Sequence, residues 1–120
     1  MFHNFTEMPV WQKAHQLALE VFQLTVALPR SEDYGLTSQI RRSSNSSPAN
    51  IAEGFGRKTK KDKANFYIIA RGTSFETQNH LINGSAVRYF DKIVTDNLFI
   101  EYSSLIHDLN KLINALGKDS

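Results

Sequence analysis

The chain has 120 residues, no cysteine and a formal net charge of +2. Its length favours one domain spanning residues 1–120 around a single core. The missing cysteine excludes disulfides, thiolate metal sites and cysteine nucleophiles. Because we see neither a run of 18 apolar residues nor a secretory leader, we expect a soluble, cytoplasmic protein without a membrane partner.

The first predicted helix follows Pro9. Apolar residues at three- and four-residue steps, such as Ala14, Leu17 and Val21, predict an amphipathic helix. Pro29 ends it, because the residue before a proline is disfavoured in helical conformation.

The second predicted helix runs from about Leu36 to Glu53, with Gly54 as a left-handed cap. Its middle is unusually small and polar, since serines crowd residues 43–47. Such a surface allows close approach of another helix but buries little hydrocarbon, so burial alone cannot hold this helix in place. Pro48 within it predicts a kink.

The third predicted helix is long, from about Lys60 to Tyr89, and Thr59 is its predicted cap. It carries two stripes on nearly opposite faces. One stripe comprises Phe66, Ala70, Thr73, Thr77, Leu81 and Gly84; the other comprises Ile68, Phe75, Ile82 and Tyr89. Either a neighbouring helix of the same chain covers the second stripe, or it is an oligomer interface. We favour the interface, because two opposite stripes exceed what two neighbouring helices cover.

The last predicted helix follows a turn around Thr95 and Asp96. It has the cleanest apolar pattern, formed by Leu98, Tyr102, Leu105, Leu109, Leu112 and Leu116. Four helices with short connections predict an all-α protein, an antiparallel up-down-up-down four-helix bundle.

Positive charge is concentrated between residues 39 and 71. This segment contains Arg41, Arg42, Arg57, Lys58, Lys60, Lys61, Lys63 and Arg71, against Glu53 and Asp62. Its formal charge is +6, whereas the remainder of the chain carries −4. Several of these cations surround the start of the third helix, where free N–H groups also favour an anion. The pattern indicates an RNA or DNA interface that contacts phosphates without reading sequence. The alternative is a solvated surface or ion pairing with glutamates.

Other chemistries fit the sequence poorly. The segment GFGRKT at 54–59 lacks the spacing of a nucleotide-binding loop and follows a helix. Glu53 and Glu76 lack the Glu-x-x-His spacing of bundle metal sites, so we interpret them as part of an interhelical ion network. The histidines are scattered, and no nucleophile has a paired base. We therefore expect no metal, no cofactor and no enzymatic activity.

Four segments together resemble a known family. They are PVWQKA at 9–14, GLTSQIRR at 35–42, NIAEGFGRK at 50–58, and YIIARGTS at 67–74 followed by Glu76. In this combination the chain resembles the four-helix-bundle family of 23S rRNA intervening-sequence proteins, in register over about residues 5–90. The final helix is similar in character only.

The resemblance implies a small, bacterial, non-enzymatic protein. Relatives of the family include the accessory variability protein of diversity-generating retroelements, which forms a basic pentameric barrel and binds nucleic acid and a reverse transcriptase. The resemblance therefore implies a pentamer and a nucleic-acid partner. This chain departs from the family before Pro48, where apolar residues are typical and SNSS stands at 44–47.

Together these observations predict a non-catalytic, homo-oligomeric bundle that binds nucleic acid and acts as an adaptor. The alternative is a protein–protein interaction module that does not bind nucleic acid.

Overall fold

The computed structural model describes residues 1–118, and within that range it contains four long helices and no strand. The helices are α1 (Pro9–Thr25), α2 (Leu36–Phe55), α3 (Lys60–Ala86) and α4 (Lys92–Lys118); short 3-10 turns cover Phe5–Glu7 and Arg30–Glu32. They pack side by side into an elongated body of 46 × 22 × 20 Å. The predicted all-α four-helix bundle is confirmed. No helix within residues 1–118 is both long enough and apolar enough to cross a bilayer.

Local chemistry fixes where the helices begin. Pro9 is the first residue of α1, where its missing N–H costs nothing. The Thr59 side chain accepts a hydrogen bond from the Asp62 amide at 3.1 Å, as predicted for the start of α3. One Asp91 carboxylate oxygen accepts from the amides of Ile93 and Val94 at 2.9 and 3.1 Å. This cap starts α4 at Lys92, so the turn predicted around Thr95 is wrong.

Gly54 has a different role from the predicted left-handed cap. Helix α2 continues through it to Phe55, and no glycine within residues 1–118 has a positive φ. Gly54 is buried against the Tyr67 ring, and a Cβ there would lie only 2.6 Å from a ring carbon. A glycine is needed here because α2 and α3 approach closely, not because the backbone is left-handed.

Helix α3 ends three residues earlier than predicted. Arg88 takes the left-handed conformation, with φ of 68°. The amides of Tyr89 and Phe90 both donate to the Gly84 carbonyl, at 2.9 and 3.2 Å. This reversal folds the buried Phe90 ring back over Gly84.

The core contains the inward stripes of all four helices. Its fully buried members include Ala14 and Val21 of α1, Ile40 and Ile51 of α2, Leu81 of α3, and Tyr102, Leu105 and Leu109 of α4. Helix α1 contacts α2 and α4, and α3 also contacts α2 and α4. The helices α1 and α3 therefore lie diagonally opposite each other.

Hydroxyl groups replace hydrocarbon between α2 and α3. Ser43 and Thr77 share a hydrogen bond of 2.8 Å. One helical turn further along α2, Ser47 contacts the hydroxyls of Thr73 and Ser74 at 2.8 and 3.1 Å. We call these five residues the hydroxyl ladder. It supplies directional contacts to a helix whose small side chains bury little hydrocarbon.

Candidate nucleic-acid interface

The connection between α2 and α3 forms a cationic end of the bundle. Arg57, Lys58, Lys60 and Lys61 are all exposed there, within five positions of one another. We call these four residues the cationic end. They surround the first turn of α3, whose amides and dipole add to the positive potential. A phosphate backbone is a suitable ligand for such a surface.

Two of these lysines are available for a ligand. Within residues 1–118, no ion pair or hydrogen bond joins the side chain of Lys58 or Lys61 to another group. Long, solvated ammonium groups of this kind can approach a phosphate without breaking an internal contact.

Arg57 is held in place more firmly. Its guanidinium lies 3.5 Å from the Glu53 carboxylate and 4.6 Å from the centre of the Phe66 ring. Both partners are protein groups, so Arg57 can offer only its outward N–H groups to a ligand. The nearby Glu53 also lowers the local positive potential.

Lys63 stabilises the fold at this end. Its ammonium donates to the carbonyls of Phe55 and Gly54 at 2.7 and 3.3 Å. These carbonyls lie at the C-terminal end of α2, where helical partners run out and the dipole is negative. Lys63 therefore caps α2 and is less accessible than the four residues of the cationic end.

Arg41 and Arg42 lie elsewhere along the bundle. Arg42 precedes Gly54 by more than three helical turns, a rise of about 18 Å. It pairs with Glu76 of α3. Arg41 donates to the Thr25 hydroxyl at 2.8 Å and covers the Phe22 ring at 4.2 Å, so it joins α2 to α1.

Arg71 is directed towards α4, where it donates to the Asn110 side chain at 2.8 Å. The structure thus brings four of the eight predicted cations together on the surface, with Lys63 beside them. Arg41, Arg42 and Arg71 bind to other parts of the bundle. Sequence spacing could not reveal this, because it does not show which side chains reach a neighbouring helix.

The two predicted network glutamates belong to separate clusters. Glu76 accepts a hydrogen bond from Arg42 and lies 3.3 Å from the imidazole of His80. This cluster connects α2 with α3. Glu53 pairs with Arg57, its neighbour one turn further along the chain. Within residues 1–118, no group of three or more His, Asp or Glu side chains is placed to hold a metal.

The outer stripe of α3 is exposed to solvent. Ile68, Phe75, Ile82 and Tyr89 have exposed fractions of 41, 54, 57 and 42 %. No helix within residues 1–118 covers them. We call these four residues the outer row. Its neighbour Ile69 is also exposed, at 47 %, and sequence analysis missed it because it falls between the two stripes.

Tyr89 differs from the rest of the outer row. Its hydroxyl donates to one Glu32 carboxylate oxygen at 3.1 Å, and this bond raises the pKa of Tyr89. The other Glu32 oxygen accepts from the Leu36 amide at 3.0 Å. Glu32 therefore links the α3–α4 turn to the start of α2.

Comparison with known proteins places the chain in a family. The sequence pattern of the family described as 23S rRNA-intervening sequence protein matches residues 6–114. A crystal structure at 1.70 Å of a protein with unknown function, from the S23 ribosomal protein family of Bacteroides thetaiotaomicron VPI-5482, is similar in fold, with a TM-score of 0.77. That similarity covers 87 % of this chain and 97 % of the other at 21 % identity. No curated protein sequence matches significantly. On the family match, the chain belongs to the 23S rRNA-intervening sequence proteins.

Proposed function

We propose that this protein is a non-catalytic, homo-oligomeric, cytoplasmic binder of RNA or DNA that contacts the phosphate backbone through its cationic end. The observation that carries the proposal is the cluster of Arg57, Lys58, Lys60 and Lys61 around the first turn of α3, all exposed. Family membership and the resemblance to a basic pentameric protein support the same function.

Self-association explains how a small patch can bind usefully. Four cations on one subunit form few phosphate contacts, and such binding is weak at physiological salt. An assembly presents several cationic ends to one nucleic acid, and linked contacts raise the overall affinity by effective concentration. The exposed outer row supplies apolar surface for this assembly.

The experiment replaces Lys58, Lys60 and Lys61 with Glu and measures binding to structured RNA and duplex DNA by fluorescence anisotropy over a salt series. We expect affinity to fall at least tenfold, because a variant that neutralises fewer phosphates releases fewer counterions. The slope of log affinity against log salt should decrease by about 0.9 for each phosphate of duplex DNA that the variant no longer neutralises.

A matched control carries the same charge change elsewhere: Arg88, Lys92 and Lys111 replaced with Glu. These residues are exposed and lie outside the cationic end. Unchanged affinity in the first variant, with an intact circular dichroism spectrum, would show that the cationic end is not the site. An equal loss in both variants would show that only total charge matters.

The second candidate is a protein–protein interaction module, favoured by the exposed apolar outer row. Salt separates the two functions, because apolar docking changes little with ionic strength whereas phosphate binding weakens steeply.

A further inference from the structure

Two aromatic rings beside the cationic end are covered by cations. The Arg57 guanidinium lies 4.6 Å from the centre of the Phe66 ring, and the Lys63 ammonium lies 5.6 Å from the centre of the Phe55 ring. Base stacking on aromatic side chains is a main source of affinity for single-stranded nucleic acid. A base could stack on either ring only by displacing the cation that covers it. These rings therefore hold cations in place and do not offer a stacking surface.

The small size of the cationic end favours a ligand with closely spaced phosphates. Its four cations lie between residues 57 and 61. A double helix carries about one negative charge per 1.7 Å of its axis, twice the density of either strand alone. It therefore places more phosphates within reach of this surface than an unpaired strand does. Because stacking is blocked, the phosphate contacts decide between the two ligands.

A carboxylate occupies one edge of Arg57. Glu53 lies 3.5 Å from its guanidinium, and the side chains of Glu53 and Arg57 have exposed fractions of 59 and 47 %. Ion pairs this exposed are weak, whereas a bidentate arginine–phosphate contact is among the stronger hydrogen-bonded pairs. Phe66 contacts the guanidinium independently of Glu53, so Arg57 stays oriented when the carboxylate leaves. A phosphate can thus take the place of Glu53.

The surface beside this ion pair is open. A shallow hollow of about 680 Å³ is lined by Glu53 and Arg57 together with the small residues Ala49, Ala52 and Gly56. Ala49 and Gly56 are exposed. Because these residues are small, a sugar–phosphate backbone can approach both charged groups closely.

We propose that the cationic end takes the phosphate backbone of a double helix in preference to a single strand, and that the incoming phosphate displaces Glu53 from Arg57. Phe66 is then a positioning residue, because it holds the guanidinium in place before and after the exchange. Glu53 is a competing anion that lowers the affinity of the protein for its ligand. This inference rests on the proposed function and specifies its ligand and the exchange at Arg57.

The ligand class is tested with the wild-type protein by fluorescence anisotropy. A short labelled DNA duplex is compared with a labelled oligothymidine of the same length at the same salt concentration. We expect the duplex to bind at least about fivefold more tightly, because it offers more phosphates and base stacking does not compensate for the difference. Equal or tighter binding of oligothymidine would overturn the preference for a double helix.

The exchange is tested with Glu53→Gln. This variant should raise the affinity for duplex about threefold, because the phosphate no longer competes with a carboxylate. Asp96→Asn is the matched control, since Asp96 also pairs with a cation four residues away, Lys92, and is similarly exposed at 58 %. Asp96 lies beyond the other end of α3, so the control should leave affinity unchanged. Equal gains in both variants would show an effect of net charge alone and overturn the exchange.

An Arg57→Gln background separates displacement from simple repulsion. In that background Glu53→Gln should no longer raise affinity, because there is no guanidinium to release. Phe66→Leu should lower the affinity of wild type about two- to tenfold, the cost of ordering one long side chain, and should have no effect in the Arg57→Gln background. An equal effect of Glu53→Gln in both backgrounds would overturn the displacement. An equal effect of Phe66→Leu would overturn the positioning role.

Failure of this inference is distinct from failure of the proposed function. If the variant with Lys58, Lys60 and Lys61 replaced by Glu binds as tightly as wild type, the cationic end is not the site and both proposals are wrong. If that variant loses binding but Glu53→Gln does not raise affinity, the exchange at Arg57 is wrong and the proposed function stands.

Discussion

The two faces of α3 differ less in polarity than the two faces of a usual surface helix. The face against α2 and α4 buries Ser74, Thr77 and Gln78, and all three are hydrogen-bonded. The face away from the bundle exposes Phe75 and Ile82, each adjacent in sequence to a buried residue. This contrast shows that residue polarity alone does not decide burial.

Close helix approach explains the inner face. Small hydroxyl side chains let α2 and α3 come close, and each hydroxyl of the ladder has a partner across the interface. On the outer face no such partner exists within the described part of the chain, so the apolar side chains remain exposed to water.

The largest expected effect comes from comparing Leu81→Ala with Ile82→Ala. Leu81 is fully buried, so its truncation leaves a cavity and should lower the free energy of unfolding by about 2–5 kcal/mol. Ile82→Ala should change monomer stability by less than about 1 kcal/mol but weaken assembly. Urea denaturation and light scattering measure the two effects. If Leu81→Ala and Ile82→Ala lowered the free energy of unfolding equally at low protein concentration, the proposed difference between the buried and the exposed face of α3 would be wrong.

Two glycines test the same contrast. A Cβ at Gly84 would lie 2.2 Å from the Phe90 ring, so Gly84→Ala should lower the free energy of unfolding by about 1–3 kcal/mol. A Cβ at Gly72, on the outer side of α3, meets nothing within 4 Å, so Gly72→Ala should stabilise the helix by about 0.8–1 kcal/mol. Thermal melts of both variants should shift in opposite directions. A shift in the same direction would show that the packing around Gly84 adjusts freely.

The hydroxyl ladder is tested by Thr77→Val. The Thr77 hydroxyl contacts Ser43 at 2.8 Å and donates to the Thr73 carbonyl at 2.9 Å. Removal of this hydroxyl should lower the free energy of unfolding by about 1–2 kcal/mol, because the Ser43 hydroxyl then has one partner fewer inside the protein. Asn79→Ala on the exposed face is the control and should stay within about 0.5 kcal/mol. If both variants unfold at the same urea concentration as wild type, the ladder does not stabilise the fold.

At neutral pH, the smallest change in the free energy of unfolding is expected for Tyr102→Phe. The Tyr102 hydroxyl is buried and has no hydrogen-bond partner within residues 1–118. Burial raises the pKa of Tyr102. The variant should be as stable as wild type at pH 7, within about 1 kcal/mol.

Above pH 10 the two proteins should diverge. The folded state keeps the Tyr102 proton more tightly than the unfolded state, whose pKa is near 10.0. The contribution of protonated Tyr102 to the free energy of unfolding is therefore complete below pH 10. It is lost as the pH rises towards the pKa of Tyr102 in the folded state. Urea titrations at several alkaline pH values should show a steeper loss for wild type than for Tyr102→Phe. If the stability of wild type and of Tyr102→Phe fell in parallel with pH, Tyr102 would not contribute to the loss of stability at alkaline pH.

Sequence reasoning was most successful where periodicity and capping act locally. The inward stripes of α3 and α4 and the Thr59 cap all follow from spacing along one helix. It was wrong at Gly54, because the pattern of a terminal glycine is the same whether the backbone turns left-handed or a neighbouring ring approaches. Here Tyr67 of α3 is the deciding neighbour.

The extent of the cationic surface could not be predicted for the same reason. Lys58 and Lys63 are equally basic in the sequence, yet one is solvated and the other caps α2. A long side chain binds whichever acceptor the tertiary fold places within its reach, and Arg71 likewise reaches Asn110 of α4.

Periodicity along the chain predicts four helices, a bundle, and a third helix with apolar residues on opposite sides, because helix formation depends on neighbours three and four residues apart. The packing of the helices determines that α2 and α3 join through hydroxyl groups, that four of eight cations gather at one end, and that a groove opens between α1 and α4. These features depend on distances between helices, which a one-dimensional pattern does not contain.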